Sequence, residues 1–275
     1  MLQVLSYPYV NTLAGNSMLS KSEKRLIVGL RRARRRSKEG LFLVEGIRTV
    51  DEALSADFEV FLCLQSPKLR DTGKGRKLAE NISERSVEVR NVSDTELDTI
   101  SDTANTQGVL LVCHEPQRLL FDLRVETSST FLIVDGIQDP GNLGTLIRAA
   151  RAFAVSAIIC LEGTVDSWNS KVVRASAGAI FHSHIFSEKW SDLLVWLREH
   201  SVTVIAADAH GKDIGDFQVS TPWVLAVGNE NKGIRRDILE ISERVAIPMS
   251  EDVESLNAGV AGSTLLYLLT SNRSI

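Results

Sequence analysis

Residues 223–234 read WVLAVGNENKGI, and residues 247–263 read IPMSEDVESLNAGVAGS. In the first stretch an apolar run meets a glycine-rich polar turn. In the second, an apolar run meets Pro-Met and then a Ser-Leu-Asn turn that opens a helix of small residues. Both leave backbone N–H and C=O groups free beside a few fixed polar side chains, which is how a chain holds a small polar cofactor. The run Ala258, Gly259, Ala261, Gly262, Ser263 is unusual for a surface helix and predicts that another backbone approaches closely. Two ordinary readings stand beside this one. Residues 228–234 also fit a plain strand-to-helix turn, and Ser255 and Asn257 are good helix caps. The turn lacks the Gly-Lys-Ser/Thr ending of a phosphate-binding loop. No Gly-x-Gly-x-x-Gly follows the first strand, so a Rossmann oxidoreductase lacks its fingerprint.

Upstream, residues 139–153 read DPGNLGTLIRAARAF. A strand ends, Pro-Gly turns the chain, and a helix begins. Asn142 and Arg148 stand six apart, which does not put both on one helical face. Asn142 is therefore expected on the turn, with Arg148 projecting from the helix. A cap and a solvated arginine are the bland alternative.

Around these segments apolar runs alternate with amphipathic ones. From Thr130 onward, strands are predicted at 131–136, 156–161, 181–186, 202–208, 223–228 and 244–249. Helices are predicted at about 141–153, 171–179, 188–199, 234–240 and 256–270. Near-continuous apolar strands between helices predict a parallel sheet covered on both faces. The first part shows a smaller α/β alternation, with strands at 41–46, 60–64, 87–90 and 109–113. Its helices are expected at 22–37 with Ser22 as cap, through Ala53, near 75–83 and near 94–100. The expected organisation is an extension over 1–19, one domain over 20–113, a linker over 114–129 and a second domain over 130–275.

A chain of 275 residues has room for one large domain or two modest ones. Its net charge of −4 excludes a polycation, yet the charge is unevenly placed. Arg31, Arg32, Arg34, Arg35, Arg36 and Lys38 crowd one segment, which suits a grip on a polyanion as well as a solvated helix face. Cys63, Cys113 and Cys160 sit in or beside apolar runs, without metal-ligand spacing. They read as core residues of a protein in a reducing cytosol, and no metal is expected. No apolar run has the length that spans a bilayer. The first 20 residues lack the features of a secretory signal and contain no arginine, and Met18 is a candidate alternative start.

Taken together, the order Asn…Arg, Gly-Asn-Glu-x-x-Gly-Ile and Ile-Pro-Met…Ser-Leu-Asn resembles the SpoU (TrmH-like) branch of the SPOUT RNA methyltransferases. Residues 169–182, NSKVVRASAGAIFH, look like that family's middle region, and 38–54, KEGLFLVEGIRTVDEAL, resemble its attached substrate-binding domain. The resemblance implies an α/β fold: a C-terminal domain with a parallel sheet and a deep trefoil knot, and a small N-terminal RNA-binding domain of ribosomal-protein-like type. It implies S-adenosylmethionine as cofactor, held by Leu225, Ala226, Val227, Gly228, Asn229, Gly233, Ile247, Pro248, Met249 and Leu256. It also implies a homodimer whose site is completed across the interface, and a 2′-O-methylated ribose as product. Asn142, Arg148, Glu230, Ser255 and Asn257 match the family's catalytic positions. Arginine is a poor base because its pKa lies above about 12, so Arg148 is expected to bind phosphate and stabilise the alkoxide. Ribosomal RNA is the substrate the attached domain suggests. A transfer-RNA enzyme and a non-catalytic RNA-binding protein are the alternatives. Two departures touch packing: Ala258-Gly259 stands where the family often has Val-Ser, and Ala149 where it often has Thr.

Overall fold

The apolar runs pair into two sheets, and the alternation of side chains along each strand decides what covers them. In the computed structural model, the described residues are 19–103, 106–220, 222–250, 252 and 255–271. The expected extension over 1–19 therefore lies outside them, except for Leu19, which is buried against Ile27 and Leu30.

The first sheet contains β1 (Leu41–Glu45), β2 (Val60–Gln65), β3 (Val89–Asn91) and β4 (Val109–His114) in the order β1-β4-β2-β3. Only β2 and β3 run parallel. Its helices are α1 (Lys21–Gly29), α2 (Ala33–Glu39), α3 (Ile47–Ser55), α4 (Gly73–Ser83) and α5 (Asp94–Ile100). The single helix expected over 22–37 is two. Ser20, not Ser22, caps α1, in a capping box with Glu23. The chain then turns at Leu30–Arg32. The break lets Arg36 point inward, where its Nη1 donates to the Leu30 carbonyl at 2.8 Å, one of the acceptors a helix end leaves open.

The second sheet is all parallel, in the order β10-β8-β9-β5-β6-β7. Its strands are β5 (Thr130–Asp135), β6 (Ala157–Leu161), β7 (Ile185–Glu188), β8 (Thr203–Asp213), β9 (Trp223–Gly228) and β10 (Glu243–Ala246). Leu132, Val134, Leu225 and Val227 face one core, with α6 (Pro140–Ala152), α7 (Ser170–Ala175) and α10 (Ala258–Ser271). Phe131, Ile133, Val224 and Ala226 face the other, with α8 (Trp190–Glu199) and α9 (Arg236–Leu239). This two-sided burial is why the strands read as continuous apolar runs.

Several boundaries depart from expectation, among them β8, which runs on to Asp213. The helix expected over 171–179 stops at Ala175, because Ala177 and Gly178 take positive φ of 50° and 95°. Residues 179–182 then form a 3-10 turn, so the strand expected from 181 starts at Ile185. β10 stops at Ala246, before Ile247-Pro248, where proline cannot donate to the ladder.

The segment 114–129 is docked rather than loose. Leu120 is buried in the core that α8 covers, while Leu119 and Phe121 are exposed. The two halves of the chain also pack on each other through aromatic side chains. Phe42 of β1 lies 4.5 Å from Trp168, and Phe58 lies 5.0 Å from Phe181, between ring centroids. Beside them Arg36 Nε donates to Asp166 Oδ2 at 2.7 Å.

Trp168 is the shared apolar anchor. Trp168→Ala is expected to lower stability by roughly 3 kcal/mol, or about 6–12 °C in Tm. Thermal unfolding followed by circular dichroism checks this, and a Tm within 2 °C or so of the parent would contradict it.

Candidate functional site

Three parallel strands end at one edge in or beside glycine: Gly136 after β5, Gly163 after β6 and Gly228 closing β9. Gly136 and Gly163 have positive φ of 71° and 92°. The carboxyl ends of parallel strands are where open α/β sheets bind ligands.

The turn after β9 is built by Asn229. Its Oδ1 accepts the N–H groups of Asn231 at 2.9 Å and Lys232 at 3.0 Å. Its Nδ2 donates to the Gly136 carbonyl at 2.8 Å. Its backbone exchanges bonds with Gly233, whose φ is 69°. A Cβ at Gly228 would lie 2.4 Å from the backbone of Gly233, so only glycine fits there. The result is a tight turn that presents Glu230 outward.

Asp139 caps α6 and accepts the Asn142 N–H at 2.8 Å. Asn142 therefore lies inside the first helical turn, not on the preceding turn as its spacing suggested. Pro140 explains the difference, since a proline at the first helical position starts the helix two residues before Asn142. From there Asn142 Nδ2 donates to Glu230 Oε1 at 2.5 Å, and Asn257 Nδ2 donates to Asn142 Oδ1 at 2.9 Å. Asn257 Oδ1 in turn accepts the Val260 N–H at 3.2 Å, capping α10. The direction of this chain is forced. An ionised carboxylate only accepts, so Asn142 must offer its nitrogen to Glu230 and its oxygen to Asn257.

Small residues let the two helices meet. A Cβ on Gly259 would sit 3.3 Å from Thr145 Cβ, and one on Gly262 only 2.5 Å from Leu146 Cδ2. The crowding expected from the small-residue run is thus real.

Other expected site residues take different places. Arg148 is exposed on α6, about 9 Å further along the axis than Asn142. It makes no hydrogen bond or ion pair among the described residues. Ser255 is exposed and caps nothing; Asn257 has that task. Leu225, Ala226 and Val227 are buried in β9, which lies between β8 and β5. Ile247 and Met249 are half-buried, and Pro248 and Leu256 are exposed.

One buried charge pair escaped the sequence reading. Asp135, at the end of β5, accepts Arg235 N and Nε, each at 2.8 Å. It ties the far end of the Gly228–Ile234 turn to the sheet. The only signal was an acid closing one apolar run and an Arg-Arg pair following the glycine turn. The cysteines are all free and buried. Burial pushes the Cys63 thiol up to about 12 and Cys160 up to about 11, so neither offers a thiolate. No metal-binding cluster occurs among the described residues.

The basic segment is not one uniform face. Arg36 is 3% exposed and paired with Asp166, so it is a structural bridge and not part of the basic surface expected to grip a polyanion such as RNA. Arg31 donates to the Ser101 carbonyl, and Arg35 pairs with Glu39 at 3.2 Å. Arg32, Arg34 and Lys38 are exposed.

Asn142→Asp would replace the amide donor with a second carboxyl against Glu230. Like charges raise the folded pKa of the pair, so the variant's stability is retained at acid pH and lost as pH rises through that raised value. The Tm deficit relative to the parent should therefore grow from about pH 4 to pH 8. A deficit independent of pH would show that the two groups do not interact.

Residues 129–267 match the family model described as the SpoU rRNA Methylase family, and residues 24–111 match an MRM3-like substrate binding domain. The 23S rRNA (guanosine(2553)-2′-O)-methyltransferase RlmP of Bacillus subtilis (strain 168) is 30% identical over 85% of this chain and 90% of that protein. The 23S rRNA (guanosine-2′-O-)-methyltransferase RlmB of Coxiella burnetii is also 30% identical, over 84% of this chain and 95% of its own length. Among solved structures, the AdoMet-bound rRNA methyltransferase from Sinorhizobium meliloti superposes with a TM-score of 0.83. It is 26% identical and covers 94% of this chain and 98% of that one. With its catalytic-domain model matched along the whole second sheet and its helices, the chain belongs to the SpoU rRNA Methylase family.

Proposed function

We propose that this protein transfers a methyl group from S-adenosylmethionine to a ribose 2′-hydroxyl of ribosomal RNA. The carrying observation is the hydrogen-bonded chain Glu230–Asn142–Asn257, set beside strand ends that carry glycine. Family membership and the names of the relatives support the same reaction.

The residues present fit such a cofactor. Gly228 and the turn that follows it close β9 at the carboxyl edge of the sheet, while half-buried Ile247 and Met249 and exposed Leu256 offer apolar surface to an adenine. When bound, the cofactor supplies an electrophilic methyl on sulfonium. The chain must orient the hydroxyl and manage the charge that develops on its oxygen. Asn142 and Asn257, locked by each other and by Glu230, hold the substrate without reorganising. Arg148, exposed and without a partner among the described residues, binds the adjacent phosphate and stabilises the alkoxide. Arg32, Arg34 and Lys38 grip the RNA backbone further away.

The finer reading includes a homodimer and a knot. Val260 and Tyr267 of α10 are 49% and 54% exposed, an apolar face on the helix that packs against α6, the helix that carries Arg148. A second copy on that face would bring its Arg148 toward this Asn142. α10 packs on α6 and β9, where a threaded C-terminus would lie.

Arg148→Ala should abolish methyl transfer yet keep S-adenosylmethionine binding by calorimetry. Mixing Arg148→Ala with Asn142→Leu should restore partial activity, because one site of each mixed dimer regains both groups. A parent that binds no S-adenosylmethionine would overturn the reaction; absent complementation would place both groups in one protomer.

A further inference from the structure

Between the two halves of the chain lies a cleft of about 280 Å³, and none of Glu230, Asn142 and Asn257 lines it. Gly46, Arg48 and Thr49 of the first half line it, with Thr103, Gln107 and, from the second half, Arg174 of α7. Its charge is not balanced internally. Arg48 is exposed and makes no hydrogen bond or ion pair among the described residues. Arg174 Nη2 lies 3.7 Å from Asp102 Oδ2, but its Nη1 is shielded from water and has no hydrogen-bond partner among the described residues. Asp102 does not saturate it, because the same carboxylate accepts Ser170 Oγ at 2.5 Å and faces Arg31 Nε at 3.9 Å.

The other carboxylate in the wall is already engaged. Glu45 is buried, and accepts Ser101 Oγ at 2.7 Å, the Asp102 N–H at 2.8 Å and Thr103 Oγ1 at 3.0 Å. Gln107 gives its oxygen to the Ile47 N–H at 2.7 Å, which leaves its amide nitrogen as a donor. The cleft thus offers two guanidinium groups, an amide and a hydroxyl, with its acids spent inside the protein. That set suits a phosphate. It also lies one helix from the proposed reaction centre. α7 packs on α6 so closely that a Cβ on Gly144 would come within 2.4 Å of Ala175 Cβ.

We propose that this cleft binds a backbone phosphate of the RNA substrate near the modified nucleotide, with Arg48 and Arg174 as its paired cations. The proposal rests on the RNA methyltransferase reading and deepens it. One cation comes from each half of the chain, so a phosphate held here fixes the RNA relative to both domains. Such a contact positions the strand and reads no base.

The test measures binding of the full chain to a fluorescein-labelled single-stranded RNA of mixed sequence across a KCl series. Arg48→Gln and Arg174→Gln should each weaken binding several-fold at low salt. Each should also lower the slope of log K against log[KCl] by about 0.7, as the loss of one single-strand phosphate contact does. Arg124→Gln, remote and paired only with Glu126 at 3.8 Å, should change neither. Arg48→Gln loses no intramolecular partner, so it carries the test even if Arg174→Gln folds poorly. An unchanged slope for Arg48→Gln, with S-adenosylmethionine binding intact by calorimetry, overturns the cleft site and leaves the methyltransferase reading standing. A parent that binds neither RNA nor S-adenosylmethionine overturns both. Adenosine 5′-monophosphate forms the last arm. Saturable binding that Arg48→Gln removes, without any change in the RNA slope, would assign the cleft to a free nucleotide and overturn the RNA contact.

Discussion

Everything at the candidate site depends on how closely α10 approaches α6. That distance is set by glycine: any side chain at Gly262 would meet Leu146 and Val227, and one at Gly259 would meet Thr145 and Asn142. Because the backbones can come this near, the short Asn257 side chain reaches Asn142 across two helix starts. A longer gap would need a longer, more flexible side chain, and the hydrogen-bonded chain would lose its fixed direction. The same contact lets one amide both cap α10 and orient Asn142.

Polar residues elsewhere do comparable structural work. Asn229 shapes the glycine turn with its side chain, and Asp135 holds the turn's far end through Arg235. Each satisfies backbone donors or acceptors that the turn leaves without a partner in the sheet. Residues that look like chemistry in the sequence are therefore partly scaffold. Glu45 makes the same point in the first domain, where its carboxylate is consumed by the 101–103 segment.

The two halves of the chain do not hang from a slack tether. Phe42, Phe58, Trp168 and Phe181 form an aromatic junction, and the Arg36–Asp166 and Ser170–Asp102 bonds flank it. Apolar burial supplies the adhesion, and the charged pairs fix orientation, since a misplaced buried charge is penalised far more than a misplaced methyl group. The binding surfaces of the first half are thereby held in a defined relation to α6 and α7.

The sequence by itself determined the parallel sheet and the identity of the central polar residues. Continuous apolar strands can only be buried on both faces, and the order of the Asn142, Glu230 and Asn257 motifs is local and specific. Even Arg148 was legible as a helix-borne side chain. Tertiary structure alone decided which residues of those motifs touch. It put Asn142 inside its helix, gave the cap to Asn257 rather than Ser255, and turned Arg36 from a surface cation into a buried bridge. Burial of a charge depends on a partner far along the chain, here Asp166, and no local pattern around residue 36 encodes that distance. For the same reason the sequence did not show that Asp135 meets Arg235 or that Arg48 and Arg174 share a cleft: each joins residues whose neighbourhood exists only after the chain has folded.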